Sequence, residues 1–346
     1  MCIRRWCDSY KFCYFDAVGA IVRIAYLVAS KFYGGVEKIA CDSLNALCVR
    51  HDVLLILPKG FIFWDKILPN VKVCEYTNFD KRYNPLLYIE ILQILKKFKA
   101  EIFHTHGMKA TQMGFLINKI LPIKFIASKH NDRKAGIFRH IKNVIGHSRK
   151  ICASVPHTRF LHFGITPQIL QKSLPQINPF VISVIGMLDG IKVFDELIKA
   201  RARLEFDYVL QIVGSGNELE NLKKLARNLG NSNYVEFLGF SNMIAEILNN
   251  SFLRVVSSKS EGLGLVLIEG LLYYMIMILR NVGIASEILP SDFIFDYTKL
   301  SDKIGEIYSN YDKFFYKICQ IQQNKKGEYL FLSYIQNLEN YYKELA

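Results

Sequence analysis

From residue 21 to about residue 310, short β-rich apolar runs alternate with amphipathic segments of helical length. "IVRIAYLVA" (21–29) leads through a Gly-Gly turn into a helical pattern at 36–50. "DVLLIL" (52–57) and "VKVCEY" (71–76) come next, then a helix across 85–99, "EIFHTHG" (101–107), a helix over 109–121 and "KFIASKH" (124–130). A helix over 133–148 and a strand at "KICAS" (150–154) are expected to complete this half. A proline-punctuated stretch, "GITPQILQKSLPQINP" (164–179), interrupts the rhythm as a hinge would. The rhythm restarts with "FVISVIG" (180–186), "YVLQIVG" (208–214), "YVEFLG" (234–239), "FLRVVSS" (252–258) and "MIMIL" (275–279), with helices at about 192–204, 217–229, 241–250, 264–274 and 298–310. Strands spaced by helices predict βαβ units and parallel sheets. The expected fold is therefore α/β, with two Rossmann-like domains and a cleft between them. Residues 1–20 read as an N-terminal extension, 21–170 as the first domain, 171–325 as the second and 326–346 as a C-terminal helix.

That rhythm also decides how "SEGLGLVLIEGLLYYMIMIL" (260–279) is read. Its length approaches that of a membrane span, but Glu269 would lie at mid-bilayer. A helix at 264–274 followed by a strand at 275–279 explains the hydrophobicity instead, because strands covered on both faces are apolar throughout. The run contains Glu261 and Glu269 and no basic residue to neutralise either. A carboxylate buried without a partner is costly or gives up its charge, so both acids call for a function. The N-terminus has a basic start and an apolar stretch, yet Asp16 and Arg23 interrupt it and no clean cleavage site follows. It reads as an extension rather than a signal peptide. Eight scattered cysteines without any C-x-x-C point to a reducing compartment and make a zinc site improbable.

In α/β sheets, ligands sit beyond the carboxyl ends of the strands, so the strand-end loops carry the chemistry. In "KSEGLGLVLIEG", Gly262 and Gly264 let the backbone approach a ligand, and the helix that follows offers unpaired amides to an anion such as phosphate. Glu269 stands eight residues after Glu261, about 12 Å along the helix axis. There it can accept hydrogen bonds from vicinal hydroxyls. His104 and His106 alternate on a strand and point the same way, which fits a hydrogen-bonding role better than a metal site because no Cys or carboxylate accompanies them.

"SEGLGLVLIEG" together with "NVGIASEIL" (281–289) resembles the E-x7-E signature of the retaining nucleotide-sugar glycosyltransferases, glycosyltransferase family 4 (group 1), which have the GT-B fold. "VISVIGMLDGIKVFDELIKA" is similar to the family's strand-Gly-Arg-loop-Lys-Gly-helix segment, and "LQIVGSGNELENLKKLA" and "VEFLGF" follow in the family's order. In the first half, "YGGVEKIACDSLNAL", "EIFHTHG" and "ASKHND" resemble the family's Gly-Gly-x-Glu, D-x-x-H-x-H and T-x-H segments. The resemblance spans roughly 22–310 and is strongest over 180–270. It implies an enzyme that transfers a hexose or N-acetylhexosamine from a nucleotide-diphosphate sugar, UDP-linked by preference, with retention. Its implied acceptor is a lipid-linked or lipopolysaccharide-type surface glycan of a bacterium.

By the same resemblance, Glu261 would contact the transferring sugar and Glu269 the ribose hydroxyls. Lys192 would neutralise the leaving diphosphate, Gly34 and Gly35 would bring amides to the same phosphates, and His130 would line the acceptor side. Gly186, Gly264 and Leu265 complete the expected donor site. Cations and helix N-termini would stabilise the departing diphosphate, so neither metal nor cofactor is expected. This sequence departs from the pattern at three places. The Arg after the strand Gly is Met187, the Cys-Gly-x-Pro turn is Tyr273-Tyr274-Met275-Ile276, and a Gly-Gly is Gly283-Ile284. Met187 and Tyr273-Tyr274 favour one rival reading, a catalytically silent GT-B protein that binds glycan or a partner enzyme. A second rival, a sugar-nucleotide epimerase, is opposed by the E-x7-E spacing.

Charge separates the two halves. Residues 1–175 hold 27 Lys and Arg against 11 Asp and Glu, whereas 176–346 hold 17 against 20. No acid occurs between Asp132 and Asp189. On a helix over 133–148, Ile137, Phe138, Ile141, Val144 and Ile145 would form one apolar stripe flanked by Arg133, Lys134, Arg139, Lys142, Arg149 and Lys150. Such a face is either merely solvated or docks on an anionic membrane leaflet. Nucleic acid is not an expected partner, since no reader motif accompanies the charge. The expected location is cytoplasmic, peripherally associated with the inner face of the cytoplasmic membrane.

Overall fold

The computed structural model describes residues 21–78, 83–131, 136–167, 179–200, 203–241, 243–259, 264–273 and 275–345. The N-terminal extension, Glu261, Arg133, Lys134, Tyr274 and most of the expected hinge lie outside them. The chain divides into two compact units. One comprises Met1–His147, Ile151–Leu161 and Ile335–Ala346, the other Ser148–Lys150 and His162–Tyr334.

Seven strands build the sheet of the first unit: β1 (Arg23–Val28), β2 (Asp52–Pro58), β3 (Lys72–Tyr76), β4 (Ile102–His106), β5 (Lys124–Lys129), β6 (Val144–Gly146) and β7 (Thr158–Phe160). Their order is β3-β2-β1-β4-β5-β6-β7, and every neighbouring pair is parallel. Helices α1 (Gly35–Leu47), α2 (Pro85–Phe98) and α3 (Met108–Ile120) follow β1, β3 and β4, a 3-10 turn (Trp64–Lys66) lies between β2 and β3, and the short α4 (Arg149–Ala153) follows β6. β1, β2 and β4 are buried almost end to end, as expected of parallel strands covered on both faces. Leu27, Ile56, Phe103 and Ala127 meet Leu87, Ile91, Met113 and Ile117 of the helices in one core. Helix α2 starts where the sequence marks a start: the Asn84 side chain accepts the Leu86 amide and Pro85 needs no partner at the first helical position.

The second sheet comprises β8 (Phe180–Ile185), β9 (Tyr208–Val213), β10 (Val235–Gly239), β11 (Leu253–Val256) and β12 (Ile276–Leu279), in the order β10-β9-β8-β11-β12 and again all parallel. Its helices are α5 (Phe194–Ala200), α6 (Leu219–Asn228), α7 (Ile244–Asn249), α8 (Leu265–Leu272), α9 (Ala285–Ile288), α10 (Leu300–Ser309) and α11 (Tyr311–Lys325). The last helix, α12 (Phe331–Leu345), contributes its residues from Ile335 onward to the first unit. The α/β class with two parallel sheets is as expected. The run at 260–279 does divide into helix and strand, and among the described residues no helix is long and apolar enough to cross a membrane.

Two local expectations are corrected. The described part of 133–148 is not one amphipathic helix: Gly136–His140 forms a 3-10 turn and Val144–Gly146 is β6, paired with β5 and β7. Ile141, Val144 and Ile145 are buried against the sheet rather than displayed as a stripe. "KICAS", read as a strand, lies in helix α4 apart from Ser154. Its β-branched and small residues fit either state over so short a span.

Candidate active site

Parallel α/β sheets bind ligands where the strand order reverses. In the second sheet that place lies between β8 and β11. The loop after β8 runs from Gly186 to Lys192, and the one after β11 leads toward Gly264. Two hydrogen bonds join them. Ser257 Oγ donates to the Lys192 carbonyl at 2.5 Å, and the Lys259 amide donates to the Ile191 carbonyl at 2.9 Å. Asp189 Oδ1 accepts from the Ile191 and Lys192 amides at 3.0 and 3.1 Å, which folds the first loop back on itself.

Glycine is required here because backbones touch. A Cβ on Gly186 would press against Lys192 Cε at 3.1 Å, so the lysine stem lies directly over that glycine. A Cβ on Gly214, where φ is +142°, would stand 1.8 Å from the Gly186 carbonyl oxygen, and one on Gly216 would stand 2.2 Å from that of Leu188. "GSG" at 214–216, weak as a motif, therefore has a physical role. It seats the β8 loop through Leu188 N–H to the Ser215 carbonyl at 2.9 Å and Glu218 N–H to the Leu188 carbonyl at 3.0 Å. Val193, directly after the lysine, has φ +55°. A β-branched side chain in the left-handed region costs about 1–3 kcal/mol, and the family resemblance places glycine at this position.

Gly264 takes the left-handed conformation (φ +73°) and opens α8, whose first residue is Leu265. Glu261 itself is outside the described residues. Glu269 is described, and its surroundings correct the expectation of an acid without a basic partner. Arg254 of β11, wholly buried, places Nη2 3.5 Å from Glu269 Oε2. The carboxylate side chain remains 21% exposed. Met187, which replaces the family arginine, is 64% exposed, and Tyr273 caps the end of α8.

The first unit holds the other predicted residues. Gly34 precedes α1 in an extended conformation, and its amide donates to Glu37 Oε2 at 3.0 Å, so the Gly-Gly loop is fastened by its own helix. Burial pushes the Glu37 carboxyl above its ordinary range, against the opposing pull of the hydrogen bonds it accepts. Gly35 begins the helix. His130 is buried and belongs to a column of imidazoles. Its Nε2 lies 3.2 Å from His106 Nδ1, and its ring stacks at 5.2 Å on both His106 and His147. His104 Nδ1 meets Tyr342 Oη at 2.6 Å and its Nε2 meets Ser128 Oγ at 2.8 Å. Burial, and then the neighbouring imidazoles, hold His104, His106 and His130 well below the usual imidazole range. These rings are neutral at physiological pH. Among the described residues no three His, Cys, Asp or Glu side chains are arranged to hold a metal ion.

Lys192, Gly186, Gly264, Leu265 and Glu269 thus belong to one unit and Gly34, Gly35 and His130 to the other. Arg254, Val193, Ser257 and Tyr342 were not singled out from sequence. A signal existed for Arg254: a lone cation in "FLRVV", a strand apolar enough to be buried, must find a counter-charge.

Residues 166–313 match the family model described as "Glycosyl transferases group 1". An α-1,4-N-acetyl-D-galactosaminyltransferase of Campylobacter jejuni, named as acting on a GalNAc-containing diphosphoundecaprenol, is 26% identical over 284 residues, 73% of this chain and 77% of its own length. A lipopolysaccharide core biosynthesis glycosyltransferase of Rhizobium meliloti is 40% identical over 95 residues, 28% of this chain and 27% of its own. The crystal structure of Anabaena HepE with UDP and glucose superposes with a TM-score of 0.81 at 18% identity, covering 94% of this chain and all of that one, which shows a shared fold. The matched segment contains both strand-end loops, so over residues 166–313 this chain is similar to the group 1 glycosyltransferases.

Proposed function

We propose that this glycosyltransferase moves a hexose or N-acetylhexosamine from a nucleotide-diphosphate sugar, with UDP as the nucleotide, to a lipid-linked or lipopolysaccharide-type surface glycan, with retention. The observation that carries this reading is the pair of tied loops at the reversal of strand order, which fixes Lys192 beside the chain leading to Glu261. Departure of a nucleotide diphosphate builds negative charge. The Lys192 ammonium and the amides that open α8 are suited to stabilise it without a metal. Glu269 accepts the ribose hydroxyls, Glu261 steadies the sugar as positive charge develops, Gly34 and Gly35 let the backbone approach the phosphates, and neutral His130 lines the acceptor side. The Campylobacter relative's name, with its undecaprenol-linked substrate, supports the choice of acceptor. Calorimetry with UDP-, GDP- and ADP-sugars tests the donor, and binding of the UDP-sugars alone is expected. Glu261→Ala should abolish turnover in a folded protein and Glu269→Ala should chiefly weaken donor binding. Full activity in both variants would overturn the reading.

The partner surface is inferred to be an anionic leaflet of the cytoplasmic membrane, met from the inner face. Its location on the protein differs from the helix expected from sequence. Leu116 and Ile120 of α3 are 45% and 67% exposed, and exposed Lys119, Lys124, Arg139 and Lys142 lie on the same helix or the segments after it. The chain has no acid between Glu101 and Asp132. Apolar tips among uncompensated cations suit a leaflet of anionic lipid, each basic residue near the surface adding about 1 kcal/mol. Sedimentation with vesicles should require anionic lipid and weaken with salt. Partitioning that ignores salt would count against it.

A further inference from the structure

Arg254 lies in the middle of the second sheet. Its Cα stands opposite Ser183 of β8 on one side and Met277 of β12 on the other. The side chain is fully buried. Guanidinium stays protonated in proteins, so the interior of this sheet contains a permanent positive charge. A buried charge is tolerated only when it is paired, and Glu269 on α8 supplies the carboxylate, with Oε2 turned toward Nη2 at 3.5 Å. The two ends of the pair differ: Arg254 has 1% of its side chain exposed and Glu269 has 21%. The acid therefore stands at the boundary of the core, with Oε2 facing the guanidinium. α8 is packed closely enough to hold it there, since a Cβ on Gly270 would meet Met277 Sδ at 2.6 Å.

We propose that Arg254 is a positioning residue for donor recognition: it turns one carboxylate oxygen of Glu269 inward, which leaves the other aimed at the hydroxyls of the donor ribose. The inference rests on the proposed role of Glu269 and assigns to that role a second residue, on a different element and 15 positions upstream. Without the guanidinium, the carboxylate has no fixed orientation, so hydroxyl recognition is lost even where the nucleotide still binds.

The test is the selectivity of the full-length protein for UDP over 2′,3′-dideoxy-UDP, measured by calorimetry. Wild type should favour UDP by about 10- to 100-fold, the range set by hydrogen bonds to a charged acceptor. Glu269→Gln and Arg254→Met should each bring that ratio close to one. Arg254→Lys, the mildest change, keeps the cation without the forked head and should lower the ratio two- to threefold, about the scale of a weakened rather than deleted hydrogen bond. A purely structural role for Arg254 would weaken both ligands alike and leave the ratio unchanged, so an unchanged ratio in Arg254→Met overturns the proposal. If that variant does not fold, an unchanged ratio in Arg254→Lys overturns it instead. A wild-type ratio of one, or an unchanged ratio in Glu269→Gln, would overturn the ribose role of Glu269 itself. A ratio lost with Glu269 but kept without Arg254 refutes only the role of the arginine.

Discussion

In the first unit the strands that flank the reversal of strand order, β1 and β4, carry Tyr26, His104 and His106. Their neighbours there are Ser128, His130 and Tyr342, all buried. In the second unit the equivalent strands, β8 and β11, carry Ser183 and Arg254, and their loops hold Lys192 against Ser257. One winding pattern, repeated, thus ends once in neutral rings and hydroxyls and once in fixed charges. The sheet order decides where a ligand can sit, and the residues there decide what it can be. Under the proposed function, the neutral end serves an acceptor sugar and the charged end a nucleotide diphosphate.

The contrast breaks most sharply at Lys192. Lys192→Ala should lower turnover by about 10²- to 10³-fold, the usual effect of deleting one group that stabilises a developing anion. The melting temperature should barely move, because the side chain is half-exposed. Steady-state kinetics beside thermal unfolding separate the two effects. A rate within threefold of wild type would mean that the charged character of this end serves stability rather than leaving-group departure.

Gly214→Ala comes next and tests whether close backbone approach seats the lysine loop. The new Cβ would lie 1.8 Å from the Gly186 carbonyl oxygen at a φ of +142°. Overpacking against immobile backbone together with backbone strain should cost about 3 kcal/mol or more. Gly230→Ala, also at positive φ (+68°) but with open space around it, should cost only about 1–2 kcal/mol. Urea unfolding of the two variants gives the comparison directly.

The neutral end can be broken by acid. His104, His106 and His130 are depressed in the folded protein mainly by burial, so the unfolded chain binds more protons than the native one as pH falls. Their stabilisation is fully present above the unfolded imidazole value of about 6.5 and is lost below it. Each contributes a slope of up to about 1.4 kcal/mol per pH unit. Hydrogen exchange at pH 7.5 and pH 5.5, corrected for intrinsic rates, should show protection falling in β4 and β5 and holding in β8 and β9. The chain has no histidine after His162. Equal loss in both sheets would erase the distinction.

How far the sequence reveals this arrangement depends on the range of the interactions. β1, β2, β4, β8 and β9 are legible because an apolar run between turns needs no knowledge of its partner. The reversal of strand order is legible only through the family's block order, since periodicity does not rank strands within a sheet. The segment at 133–148 misleads because apolar residues at i, i+1, i+4, i+7 and i+8 satisfy a helical stripe, while Gly136 and Gly146 and the pairing of β6 with two neighbours favour a turn and a strand. Helix α11 is legible in the sequence as well, through the stripe Tyr311, Phe314, Phe315 and Ile318 at i, i+3, i+4 and i+7. Arg254 is hidden for another reason. Its counter-ion is on α8, and only the folded sheet shows that a residue flagged as an unneutralised acid has a cation behind it.

The smallest effect probes how the neutral cluster is built from remote parts of the chain. Tyr342 Oη lies 2.6 Å from His104 Nδ1 and 2.6 Å from Tyr26 Oη, which joins the last helix to β1 and β4 through a single hydroxyl. Tyr342→Phe keeps the ring, which stands edge-on to His104 at 5.9 Å, and removes only the polar contact. The His104 Nδ1 atom then loses its partner inside the core, which costs about 1–3 kcal/mol. Tyr26→Phe leaves the Tyr342–His104 bond in place and should cost less, about 1 kcal/mol. If the imidazole column is held in register from this hydroxyl, Tyr342→Phe should also make the protection of β4 more sensitive to acid, because a looser ring is easier to protonate. Unchanged acid sensitivity would show that burial by the strands alone keeps the rings neutral, and that α12 is packed against the cluster without governing it.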